Sequence, residues 1–273
     1  MQNILITGCS TGIGLQTAKT LKKNGIKVYA SARKEEDVQM LKKLGFNTFL
    51  LDVTKPEHIS SALEQIIKND AKIDAVFNNA GFGQPGALED IKTDVLREQF
   101  ETNVFGLHEL TRQVLPIMRK QGYGKIIQHS SVLGIISLRF RGAYNASKYA
   151  IEGLADTLRL ELANTKISIS TINTGPVTSK FRDNAVKNFQ QNVDQENSVY
   201  KKEYDTQLNA RLESDKDTTP FNLPAISVAD VIQNIMNTDN PKPRYYVTKA
   251  TYILGFFKRI LSTSLLDKIL QKM

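Results

Sequence analysis

Short apolar runs rich in β-branched residues alternate with longer amphipathic stretches along most of the chain. Runs at 3–7, 27–31, 48–51, 75–78, 125–129 and 168–173 predict strands, and a weaker one stands at 244–248. Nothing comparable lies between residues 82 and 124. Segments 13–24, 56–69, 144–163 and 228–237 have the length and period of helices. The strand runs are apolar on both faces, so the alternation predicts an α/β fold: one doubly wound parallel sheet over residues 1–273, with helices on both faces. No internal repeat is present, which excludes a solenoid.

Two regions break this rhythm. Residues 187–219 are polar, with Gln190, Gln191, Asp194, Glu196, Lys201, Lys202, Glu203 and Asp205 close together. They fall between the sixth strand and the 228–237 helix, so an insertion above the sheet is expected at about 180–225. It reads either as a solvated pair of surface helices or as a mobile lid over a substrate pocket. The tail, about 251–273, sets Ile253, Phe256, Phe257, Ile260, Leu261, Leu265, Ile269 and Leu270 at helical spacing among Lys258, Arg259, Lys268 and Lys272. Core packing or a dimer contact is the first expectation for it, and a helix lying weakly on a membrane surface is the other.

Composition narrows the function classes. The 36 basic against 28 acidic residues leave a net charge of +8, but no zinc motif or block of like charges accompanies it, so nucleic acid is not an expected partner. Cys9 is the lone cysteine, which excludes an internal disulfide and a Cys-rich zinc site. His58, His108 and His129 are too scattered for a metal cluster and read as structural. The start has no basic leader region, and no apolar run approaches the roughly 20 residues of a membrane span, so a cytoplasmic location is expected.

The first strand runs into Gly8-Cys9-Ser10-Thr11-Gly12-Ile13-Gly14, and an amphipathic helix follows. Gly8 lets the chain turn off the strand, Gly12 allows close backbone approach to a pyrophosphate, and Gly14 lets helix and sheet pack tightly. Phosphates would then meet the unpaired N–H groups at the helix N-terminus, so Gly8, Ser10, Thr11, Gly12, Ile13 and Gly14 are candidate cofactor ligands in a Rossmann-type unit. The second strand ends Tyr29-Ala30-Ser31-Ala32-Arg33-Lys34, with no acid before Glu35. A carboxylate there would bind a ribose 2′-OH, whereas Arg33 offers a fork to a 2′-phosphate. NADP(H) is therefore favoured over NAD(H).

Tyr144 and Lys148 open a long predicted helix, and positions i and i+4 share a face about 6 Å apart. Lys148 is expected to favour the phenolate and lower the Tyr144 pKa, making Tyr144 a general acid/base near neutral pH. A second pair at this spacing, Tyr245 and Lys249, follows Pro243 on a predicted strand, where four residues span roughly 13 Å and cannot couple. Ser131 ends the fifth strand, where ligands of open α/β sheets bind, and its hydroxyl can hold a substrate oxygen beside Tyr144.

Thr7-Gly-x-x-x-Gly-x-Gly14, Asn78-Asn79-Ala80-Gly81, Asn103, Ser131 and Tyr144-x-x-x-Lys148 together resemble the short-chain dehydrogenase/reductase family, over residues 1 to about 180. Arg33 after Ala-Ser-Ala, the polar insertion and the basic tail resemble its retinol and 17-beta-hydroxysteroid dehydrogenase branch. The resemblance implies Tyr144 as proton donor or acceptor, and Lys148 on the nicotinamide ribose. It implies Ser131 on the substrate oxygen and Asn103 anchoring a water that relays protons from Lys148. It also implies Asp52 and Val53 at the adenine, Asn79, Ala80 and Gly81 along the adenosine side, and Pro176, Val177 and Ser179 at the carboxamide. Thr174 departs from the pattern, standing where many members carry proline. The implied enzyme is an oxidoreductase moving a hydride between NADP(H) and a small carbonyl or secondary alcohol substrate, assembled as a dimer or tetramer. A catalytically silent NADP(H)-sensing regulator and a peripheral membrane adaptor are the alternatives.

Overall fold

The computed structural model describes residues 1–209 and 219–273. Seven parallel strands form the central sheet: β1 (Asn3–Ile6), β2 (Lys27–Ala32), β3 (Asn47–Leu50), β4 (Ala75–Asn78), β5 (Gly124–Ser131), β6 (Ile167–Thr174) and, last in the chain, β9 (Arg244–Tyr246). Their order is β3-β2-β1-β4-β5-β6-β9, so the chain winds outward from β1 in one direction and then from β4 in the other. The point of reversal lies between β1 and β4, where open α/β sheets leave a crevice at the strands' C-terminal ends. The last strand is shorter than its apolar run because Thr248 caps the following helix, its hydroxyl accepting from the Thr251 N–H.

Alternate residues explain the layers. Ile4, Ile6, Val28, Ala30, Phe77, Ile127 and Ile172 face α1 (Gly12–Lys23), α2 (Glu35–Lys43) and the Ile226–Asn237 helix in one apolar cluster. Leu5, Tyr29, Phe49, Val76, Ile126 and Ile169 face the other way, toward α3 (Pro56–Asp70), α5 (Gly106–Gln121) and α6 (Gly142–Glu161). The period of two, with both faces covered, is what a buried parallel sheet requires. Between β4 and β5 the chain is helical, with α4 (Thr93–Phe100) passing through a π-helical turn, Glu101–Phe105, into α5.

The polar insertion is not a plain solvated helix pair. After β6, β7 (Val177–Thr178) pairs with β8 (Leu223–Pro224), and α7 (Phe181–Asn192) follows β7. Phe189, Val193, Tyr204 and Leu208 bury themselves against Ala87, forming an apolar cluster apart from the two main ones. The Tyr204 hydroxyl donates to Asp90 and accepts from the Ala87 N–H at 2.8 Å. The hydrophilic count misled because a few aromatic residues suffice to anchor a mostly polar segment. Residues 210–218, within the expected 180–225 insertion, lie outside the described residues.

The tail divides into two helices, Lys249–Ile260 and Thr263–Leu270. Leu254, Leu266 and Leu270 are buried, as the core reading expects, while Ile253, Phe256, Ile260 and Leu265 are exposed. No helix among the described residues is long and apolar enough to cross a membrane.

A buried charge locks the far side of the sheet. Glu152 on α6 accepts from Asn173 Nδ2 at 2.7 Å and from Arg244 Nε at 2.9 Å, and Arg244 Nη2 also reaches Asp156 at 2.5 Å. Removing one partner of such a pair leaves an uncompensated charge. Arg244→Met is expected to lower unfolding stability by about 2–3 kcal/mol, discounted for the partial exposure of the guanidinium. The shift in urea midpoint checks it.

Candidate active site

The glycine loop is tight because backbone meets backbone. Gly8 and Gly12 sit at φ +70° and +58°, the left-handed region that glycine tolerates. A Cβ on Gly14 would stand 2.3 Å from the Gly8 carbonyl oxygen and 2.6 Å from Asn79 Nδ2, so only glycine fits there. Thr11 caps α1 with extended backbone, and the first turn of α1 carries no acid. A positive helix end inside a cradle that side chains would fill suits a pyrophosphate.

Asn79 braces this loop. Its amide donates to the carbonyls of Thr7 and Gly8 at 2.9 and 3.0 Å, and the Thr7 hydroxyl accepts from the N–H groups of Asn79 and Ala80. Gly81 lies beside Asn103, where a Cβ would be 3.0 Å from Oδ1. Asn103 stands in the π-helical turn. It accepts from the Phe82 N–H at 3.0 Å and donates to the Phe82 carbonyl and the Ser147 hydroxyl at 2.9 and 3.2 Å.

Arg33 is exposed just past β2, and its charge acts on Asp52. Burial raises the Asp52 carboxyl, but hydrogen bonds from the Thr54 N–H and hydroxyl, with Arg33 and Lys55 nearby, outweigh it and leave the pKa lowered. Val53 packs where a Cβ on Gly106 would be 2.7 Å from its Cγ2. On the far side of the loop, a Cβ on Gly12 would be 3.3 Å from Ser179 Cβ, so the segment after β6 lies against the glycines. The Pro176 carbonyl accepts from the Leu223 N–H and Val177 lies in β7, which holds this segment in its two-stranded sheet.

Ser131, Tyr144 and Lys148 come together at the C-terminal end of β5. The Ser131 hydroxyl lies 3.3 Å from the Thr174 carbonyl, accepts from the Leu133 N–H at 3.1 Å and stands near enough to Tyr144 to lower its pKa. Lys148 Nζ lies 5.5 Å from the centre of the Tyr144 ring and donates to the His129 carbonyl at 2.6 Å. The expected lowering of the Tyr144 pKa is not what this geometry produces. Tyr144 is packed between Phe181, ring centres 5.3 Å apart, and the apolar segment around Val132, Leu133 and Ile136. Burial therefore pushes its phenol well above the ordinary tyrosine range, and the Ser131 hydroxyl offsets only part. Burial also pulls the Lys148 pKa down to about 8, with the charge of Glu152 one turn on opposing the shift.

His129 is the residue that sequence reasoning passed over. Both amide hydrogens of Asn79 go to backbone carbonyls, so Asn79 Oδ1 faces His129 Nδ1 at 3.0 Å and that nitrogen carries the proton. Nε2 lies 3.4 Å from the Thr174 hydroxyl. Burial, then the charge of Lys148, holds the His129 pKa down at about 3, so the ring is neutral. Thr174 and His129 thus meet across the β5–β6 ladder, where Ser131 is the register partner of Thr174. No cluster of metal-ligating side chains occurs among the described residues.

Comparison with known proteins gives the family. The family described as short chain dehydrogenase matches residues 2–190. The chain is 39% identical over 271 residues to the uncharacterized oxidoreductase YbbO of Escherichia coli, covering 99% of this chain and 94% of that protein. It is 39% identical over 184 residues to the 3-ketodihydrosphingosine reductase of Bacteroides thetaiotaomicron, covering 67% of this chain and 66% of that one. A solved structure of an actinorhodin polyketide ketoreductase variant with NADPH superposes with a TM-score of 0.75 at 26% identity, covering 93% of this chain and 97% of that one. With a family match over residues 2–190, a relative 39% identical along nearly its whole length and a seven-stranded parallel sheet, the chain belongs to the short-chain dehydrogenase/reductase family and is an oxidoreductase acting on CH–OH groups.

Proposed function

We propose that this protein is an NADP(H)-dependent oxidoreductase interconverting an apolar carbonyl compound and its secondary alcohol, with Tyr144 as the general acid/base. The observation that carries the reading is the meeting of Tyr144 with Ser131 and Lys148 at the sheet's crevice, beside a glycine cradle that fits a dinucleotide pyrophosphate. We read residues 1–273 as one cofactor-binding unit, with the segment after β6 as its cover over the site.

In this reading Gly8, Ser10, Thr11, Gly12, Ile13 and Gly14 hold the pyrophosphate. Arg33 pairs with a 2′-phosphate, Asp52 and Val53 receive the adenine, and Asn79, Ala80 and Gly81 line the adenosine side. Pro176, Val177 and Ser179 meet the carboxamide. When bound, the nicotinamide dinucleotide supplies or accepts the hydride. A phenol whose burial raises its pKa stays protonated through the neutral range, which suits Tyr144 to giving its proton to a carbonyl oxygen. The Ser131 hydroxyl holds that oxygen, and the Lys148 ammonium stabilises the phenolate left behind. Asn103 fixes the helix beneath through Ser147, the residue before Lys148. Phe181, Val132, Leu133 and Ile136 around Tyr144 favour an apolar substrate, in keeping with the 3-ketodihydrosphingosine reductase among the relatives.

Tyr144→Phe is expected to lower turnover by about 10²–10⁴-fold while leaving NADPH binding, read by nucleotide fluorescence, within about twofold. Arg33→Ser removes a charge-assisted phosphate contact, so the Kd for NADPH should rise about 10–100-fold and that for NADH should move far less. The Lys148 charge is present below a pKa of about 8 and lost above it, so the reduction rate should fall as pH rises through that value. In Lys148→Met the falling limb should vanish together with most of the rate.

A further inference from the structure

We infer that the outer face of the C-terminal helices is a docking surface for an anionic lipid bilayer, which brings the mouth beside Tyr144 to the membrane. On the Lys249–Ile260 helix, Tyr252, Ile253, Phe256 and Ile260 are 60, 43, 59 and 57% exposed, and Leu265 on the next helix is 48% exposed. At 100° per residue the first four fall within a single stripe, with Lys249 inside it and Arg259 at its edge. The opposite face of the same helices is already used. Leu254, Leu266 and Leu270 pack on Val132, Leu133 and Ile136, with Phe257, Leu261 and Tyr144 against that cluster. The exposed apolar residues are therefore surplus to folding, and they form a contiguous patch of the kind that marks an interaction site.

Charge identifies the occupant. The exposed residues from 249 to 273 include Lys249, Lys258, Arg259, Lys268 and Lys272 against a single acid, Asp267. A second copy of this face would set cations against cations, which association disfavours. Phosphate headgroups over an apolar interior satisfy both halves of the surface, with the Tyr252 ring at the boundary between them. The inference goes beyond the oxidoreductase reading and does not require it.

The full chain is sedimented with phosphatidylcholine vesicles and with vesicles that also contain phosphatidylglycerol. Partitioning to the anionic vesicles should exceed that to the neutral ones at least about tenfold and weaken as salt rises. Phe256→Ser combined with Ile260→Ser should reduce it at least about tenfold, with melting temperature and turnover of a water-soluble ketone unchanged. Equal or absent binding to the two vesicle types overturns the inference, as does binding that the double variant retains. So does light scattering that shows the double variant dissociating an assembly of the parent chain, since the face would then be a contact between copies. Vesicle binding is read without turnover, so failure of the catalytic reading leaves this measurement intact.

Discussion

The site rests on a crossing of backbones at the switch point of the sheet. The carbonyls of Thr7 and Gly8 leave β1 and are caught by one amide, Asn79 Nδ2, from the loop after β4. The Thr7 hydroxyl returns the grip by accepting from two N–H groups of that loop. The clasp joins the ends of two fully buried strands, and it sets how closely α1 approaches the sheet. Gly14 is the consequence: helix and strand end are so close that even a methyl group has nowhere to go.

From Asn79 the order passes through His129 to Thr174 and from the His129 carbonyl to Lys148. A neutral imidazole therefore ties the loop after β4, which braces the glycines, to the strand end that carries Ser131. Burial sets the electrostatics of this group in a consistent direction, favouring the uncharged form of Tyr144, Lys148 and His129 alike. Glu152 moderates it one turn below Lys148, and Glu152 is itself held in place by Asn173 and Arg244. α6 thus presents its polar groups along one side, from Tyr144 at the crevice to Glu152 at the sheet.

Much of this was legible in the chain. Period-two apolar runs revealed the strands because both faces of the sheet are covered, and the glycine spacing revealed the loop because no other residue survives the contacts at Gly14. The Tyr144–Lys148 spacing revealed a shared helix face, but the sign of the Tyr144 shift was not readable from it. That sign depends on Phe181 and on the Val132–Ile136 segment, which are distant in sequence and meet Tyr144 only in the fold. The cluster around Tyr204 was hidden for a similar reason: Ala87 and Phe189 lie 117 and 15 residues away from it, with polar residues in between. Thr174 looked like an isolated departure until its neighbour across the ladder, His129, came into view.

Cys9 lies in the glycine loop, buried, with its sulfur 3.2 Å from the Ile6 carbonyl, and desolvation pushes its thiol up to about 12. Oxidants and alkylating agents attack the thiolate, which scarcely forms at such a position. The glycine loop thereby carries a sulfhydryl that peroxide and glutathione chemistry finds in its unreactive form.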